Sequence, residues 1–205
     1  MIILTIATLR RYNACHLNRG PRRGEVSRVT AFRRHHGHAP GRRPTLRSWL
    51  ACTPDVRNWI WATRCLGREG RILALEVATR AARRTMVAIG WDYTADPRPL
   101  RAIEAAEAIL AEWWAGREPT EEMRGAAMLA ADDADTADAP AAYYVALAAA
   151  ADDAAAYAAA AVGVEAAAAA YSAAGAHYAA ADAYLAKQRA DYLDALDRLE
   201  SPDAR

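Results

Sequence analysis

Asp96-Pro97-Arg98-Pro99-Leu100-Arg101-Ala102-Ile103-Glu104-Ala105-Ala106-Glu107-Ala108-Ile109-Leu110-Ala111-Glu112-Trp113-Trp114-Ala115-Gly116 carries both ends of a helix in its own residues. Pro97 and Pro99 suit a first turn, where backbone N–H groups have no helical partner. Gly116 suits the left-handed position that follows a last turn. On a helical wheel Ile103, Ala106, Leu110, Trp113 and Trp114 share one face, while Arg101, Glu104 and Glu112 lie away from it. Glu107 falls inside the apolar arc. The stretch predicts a core helix, and with it an all-α fold.

Upstream, Thr53-Pro54-Asp55 reads as a second helix start, followed by Val56, Trp59, Ile60, Thr63 and Leu66 on a helical stripe. Gly67 and Gly70 are expected to separate it from the next helix. There Ile72, Leu75, Thr79, Ala82, Met86 and Ile89 step by threes and fours until Gly90. Arg80 and Arg84 fall on the opposite face, with Arg83 near the apolar margin. Downstream, Thr120 with Glu121 and Glu122 predicts an N-cap and an acidic first turn, in a helix fading around Asp132–Asp138.

Pro140 opens a section made almost purely of helix formers, running to Leu199. Tyr143, Tyr157, Val164, Tyr171, Tyr178, Leu185, Tyr192 and Leu199 keep one seven-residue register, with Ala150 in the remaining slot. Strict sevens drift by about 20° per heptad on a straight helix, so the section either supercoils or breaks. A break at Gly163 or Gly175 and an antiparallel return are expected, since an unbroken rod would exceed roughly 80 Å.

The 205 residues divide into a basic, loop-rich region, 1–48, and a helical domain, 49–205. The architecture expected is an all-α bundle of about five to seven helices. The net charge of +1 hides a split: residues 1–84 hold 18 arginines and 4 acids, residues 85–205 hold 8 basic and 21 acidic residues. Cys15, Cys52 and Cys65 are an odd number with no C-x-x-C pair, which points to a reduced, cytoplasmic protein. Met1–Leu9 is apolar, but its positive charges follow it and no A-x-A site comes next, so it does not read as a signal peptide. The alanine runs are too interrupted and too weakly apolar for a membrane span, and no membrane partner is expected.

Two surfaces carry candidate chemistry. Arg19, Arg22, Arg23, Arg28, Arg33, Arg34, Arg42, Arg43 and Arg47 are the residues that would grip phosphates if segment 17–47 binds nucleic acid. A G+C-rich genome would also supply that arginine content, and the basic half would equally neutralise the acidic half of its own chain or of a second subunit. The acids Asp132, Asp133, Asp135, Asp138, Asp152 and Asp153 suit either mimicry of a phosphate backbone or, more simply, a solvated face. Cys15-His16 and the His35, His36, His38 cluster contain zinc-ligating residue types, but at no standard finger spacing, so no metal or other cofactor is expected. Glu107 is either a catalytic carboxylate or, more in keeping with an apolar face, the partner of Arg83 or Arg80. Trp113, Trp114 and the tyrosine register suit core packing better than a ligand groove. No nucleophile elbow, phosphate loop, H-E-x-x-H or dinucleotide fingerprint occurs, so a non-enzymatic protein is expected.

Three patches together carry a resemblance. They are Leu9-Arg10-Arg11-Tyr12-Asn13-Ala14-Cys15 with Phe32-Arg33-Arg34-His35-His36-Gly37, then Trp59-Ile60-Trp61-Ala62-Thr63-Arg64-Cys65-Leu66, then Asp96–Ala105 with Trp113 and Gly116. After the third comes an Ala/Tyr/Asp tract ending in Lys187-Gln188-Arg189-Ala190-Asp191. The chain resembles alanine-rich small proteins of bacteriophages and prophages of G+C-rich bacteria. Its third patch is also similar to the immunity proteins of bacterial polymorphic toxin systems. The resemblance implies a non-enzymatic helical protein that binds another macromolecule; the partner expected is a protein, a toxin or a host-defence component, in the bacterial cytoplasm. Nucleic-acid binding through the arginines is the competing reading, and a homo-oligomer is compatible with either.

Overall fold

Three helix ends are written by the same backbone device. Gly90 N–H donates to Val87 O and Trp91 N–H to Met86 O; Gly116 and Arg117 repeat the pattern on Trp113 O and Glu112 O. Asp138 and Ala139 repeat it on Asp135 O and Ala134 O. Each turn needs one left-handed residue. Gly90 (φ 68°) and Gly116 (φ 81°) supply it without a Cβ penalty, and Asp138 (φ 55°) belongs to one of the few other residue types that tolerate it.

The computed structural model describes residues 59, 60, 63, 66–151, 157–165 and 177–201. Among them the fold is all-α, with no strand. The helices are α1 (Gly67–Ala88), α2 (Arg98–Trp114), α3 (Glu121–Thr136), α4 (Pro140–Ala150) and α5 (His177–Glu200). A further helical segment spans 157–165, and Trp59, Ile60 and Thr63 are helical as well. The expected loop-rich region 1–48, Phe32 and the start at Thr53-Pro54-Asp55 lie outside the described residues.

α1 is the helix the others surround. Ile72 to Thr79 are buried without interruption, which a helix achieves only when neighbours cover it on all sides. It packs on α2, α4 and α5, while α3 packs on α2 and α4. The expected separation at Gly67 and Gly70 is therefore corrected: Gly67 begins α1 and Gly70 lies inside it. A Cβ at Gly70 would collide with the Thr63 carbonyl, so the close approach of the preceding helical turn selects glycine there.

α2 runs as predicted, with Pro99 in its first turn, but its buried face is rotated. Ala102, Ile103, Ala106, Ile109 and Trp113 are buried, whereas Leu110 and Trp114 are only partly buried. Contact with α1 on one side and with α3 and α4 on the other centres the face on Ile109. α3 starts as expected: the Thr120 side chain accepts from Met123 N–H, and Glu121 and Glu122 stand in the first turn. α4 buries alanines on nearly every side, its small residues letting the surrounding helices approach.

Of the two breaks expected, the one at Gly163 is corrected: Gly163 lies inside the helical segment 157–165, while the backbone turns extended at Ala151 (φ −86°, ψ 155°). Gly175 lies outside the described residues. Among the described residues the seven-residue register marks a margin: Tyr192 is buried, while Tyr143, Tyr157, Val164 and Leu199 are partly buried against the core. Tyr192 meets the Trp59 ring edge-on, with centroids 5.4 Å apart.

Candidate functional site

Arg80 and Arg84 stand one turn apart on α1, opposite the helix's main apolar stripe, and both are half-buried. Arg84 donates to both carboxylate oxygens of Glu165 in segment 157–165, and to Asp191 on α5 at 2.5 Å. Arg80 donates to Asp191 at 3.3 Å, to Asp194 at 2.8 Å and to Glu76, one turn back on its own helix, at 2.7 Å. The Gln188 amide donates to Glu165 at 2.7 Å and to Val162 O at 3.1 Å. Glu165 and Gln188 are fully buried. Along α5, Gln188, Asp191 and Asp194 are held by these mostly charge-assisted hydrogen bonds, while Tyr192, Ala195 and Leu196 are buried in the core.

Glu76 is a second node. Its carboxylate accepts from Arg80, from Trp114 Nε1 at 3.0 Å and from Arg198, whose guanidinium also lies 5.0 Å from the centre of the Trp114 ring. Part of the charge split along the chain is therefore internal neutralisation: Arg80 and Arg84 of the basic half meet Glu165, Asp191 and Asp194 of the acidic half. Arg83 is the exposed arginine of this helix, and it grips Glu107 through two hydrogen bonds of 2.6 and 2.5 Å. Of the two partners expected for Glu107, Arg83 is the one it has. Arg68 caps the far end of α2 instead, donating to Trp113 O at 2.6 Å and Gly116 O at 3.0 Å.

Beside this cluster Arg83, Arg84, Val87, Ala88 and Lys187 line an open groove of about 280 Å³ between α1 and α5. Its lining is apolar or cationic throughout. Val87 is 76% exposed and Ile89, at the helix end, 48%. No sequence signal marked this groove, because Val87 lies off the α1 stripe and Lys187 comes from the other end of the chain. Glu76 was legible in principle, four residues after Ile72 and three before Thr79 on the buried stripe.

The nine arginines from Arg19 to Arg47 and the Cys15, His16, His35, His36, His38 set all lie outside the described residues, as do Asp152 and Asp153. Asp132, Asp133, Asp135 and Asp138 are exposed, as a solvated face requires. Trp113 is core, not groove. Among the described residues no group of three or more His, Cys, Asp or Glu is placed to hold a metal ion. No helix among them is long and apolar enough to cross a membrane. Comparison with protein-family models, with curated proteins and with solved structures finds no match to this chain.

Proposed function

We propose that this chain is a non-enzymatic protein-binding protein of phage–host or toxin–immunity conflict. It acts in the bacterial cytoplasm by occupying and so neutralising the surface of a toxin or host-defence protein. The observation that carries the reading is the Val87 groove, where a large apolar side chain stands 76% exposed among cations. An exposed apolar residue beside an open groove suits a protein contact, because its burial there supplies affinity.

Nucleic acid is the second reading, and it would rest on segment 17–47 rather than on the helices. Arg80, Arg83, Arg84, Arg98, Arg117 and Arg198 each bind a carboxylate of the same chain, so they offer phosphates little unneutralised charge. The two readings separate in one comparison. A protein partner should be captured from host lysate by the wild-type chain and lost with Val87→Glu. Capture of nucleic acid alone, unchanged by Val87→Glu, would favour the second reading.

A further inference from the structure

The helices are joined by two kinds of contact. α4 sits among its neighbours on small apolar residues, with Ala141, Ala142, Val145, Ala146 and Ala148 fully buried. α5 meets α1 differently. Among its described residues Tyr192, Ala195 and Leu196 are the buried apolar ones. The rest of the contact is polar: Asp191 accepts from Arg84 and Arg80, Asp194 accepts from Arg80, and Arg198 reaches Glu76. Water reaches much of this network, since the Asp194 side chain is 56% exposed and those of Arg198 and Arg80 are 44% and 33% exposed. Gln188 Oε1 is buried and has no donor in the protein, so the docked helix also holds an acceptor that water would satisfy once it opened.

The attraction within an ion pair is largely offset by the cost of drying both charges. Deleting one partner strands the other, but parting both into water together costs little. The network therefore punishes a single substitution and still adds little net hold on α5. We propose that α5 undocks from α1 as a unit while α1 to α4 stay folded. α1 keeps α2 and α4 packed against it when α5 leaves. Lys187 stands on α5, and Arg83, Arg84, Val87 and Ala88 on α1, so the groove exists only in the docked state. Undocking withdraws that wall, uncovers the Trp59 ring that Tyr192 meets edge-on, and parts Arg80 and Arg84 from Asp191 and Asp194. A ligand that grips both walls of the groove then favours the docked state, and one that takes the uncovered face of α1 favours the open state. The inference concerns the chain alone and stands whether or not the groove takes a partner.

The experiment is amide hydrogen exchange of the full chain, read by mass spectrometry across a series of urea concentrations too low to unfold it. Amides of residues 188–199 should exchange faster than those of residues 72–86. Their rates should rise with urea together, but less steeply than those of α1, because undocking exposes less surface than global unfolding. Tyr192→Ala with Leu196→Ala removes the two large apolar anchors of α5. In that variant α5 should lose its protection while residues 72–86 and 102–113 keep theirs. Equal rates and equal urea dependence in α1 and α5 of the wild type overturn the proposal. So does exchange that only frays inward from the ends of α5 without responding to urea. A double variant in which α1 and α2 lose protection along with α5, or in which α5 stays protected, overturns it as well.

Discussion

Arg84 and Glu165 stand 81 positions apart in the chain, yet the guanidinium Nη2 lies 3.1 Å from the carboxylate Oε2 and Nε reaches the other oxygen. The carboxylate side chain is wholly buried, while a quarter of the Arg84 side chain (24%) still meets solvent. Removing the cation alone leaves a buried, unbalanced charge. Arg84→Ala should therefore destabilise the protein by up to about 3–5 kcal/mol, less whatever solvent returns through the exposed side of the arginine. Arg84→Met with Glu165→Leu should recover most of that loss in urea unfolding, because the uncompensated charge is gone.

The rotated face of α2 sets a contrast between neighbours. Ile109→Ala should cost about 2–5 kcal/mol, since Ile109 is fully buried and the site cannot easily collapse. Leu110→Ala should cost distinctly less, because Leu110 is only partly buried. Chemical denaturation of the two variants side by side checks the order. Equal losses would put the buried face where the helical wheel alone placed it.

Glycine substitutions should split in sign. Gly70→Ala drives a Cβ into the Thr63 carbonyl and should cost about 1–3 kcal/mol, as overpacking does. Gly125 has open space around it inside α3, so Gly125→Ala should stabilise by about 0.5–1 kcal/mol through helix propensity. Thermal unfolding of the two variants reads both signs.

Two groups give the stability a pH dependence at opposite ends. The Arg98 side chain, then the Arg98 backbone N–H, hold the Asp96 carboxyl down to about 2. Its contribution is complete above the unfolded value of about 3.9 and is lost as pH falls toward about 2. Burial raises the Tyr192 phenol well above its ordinary range. That contribution is complete below about pH 10 and is lost as pH rises beyond it. Asp96→Asn should flatten the acid limb of a melting-temperature profile, and Tyr192→Phe the alkaline limb. A profile unmoved by either substitution contradicts these assignments.

What was legible in the sequence was local. Pro99, Gly116, Gly90, Thr120 and Pro140 mark helix ends because their chemistry acts within one turn. The Arg83–Glu107 pair was within reach because both residues sit on strongly patterned helices joined by a short loop. The break at Ala151 was not legible, since alanine has no preference for leaving a helix there. The particular partners of Arg80 and Arg84 were hidden for a related reason. A helical wheel shows which face is apolar, but not that Asp191 and Glu165 return from the far end of the chain to neutralise the other one. The Val87 groove needs α1 and α5 together, so no single stretch announces it.

In the proposed role the chain holds another protein through its helical body. A pull-down with the full-length chain, a chain lacking residues 17–47 and Val87→Glu, with and without nuclease and at low and high salt, separates the readings. The same protein partner should be recovered with the first two at both salt concentrations and be lost with the third. Recovery of nucleic acid alone from samples without nuclease, weakening steeply with salt and vanishing with residues 17–47, would contradict it.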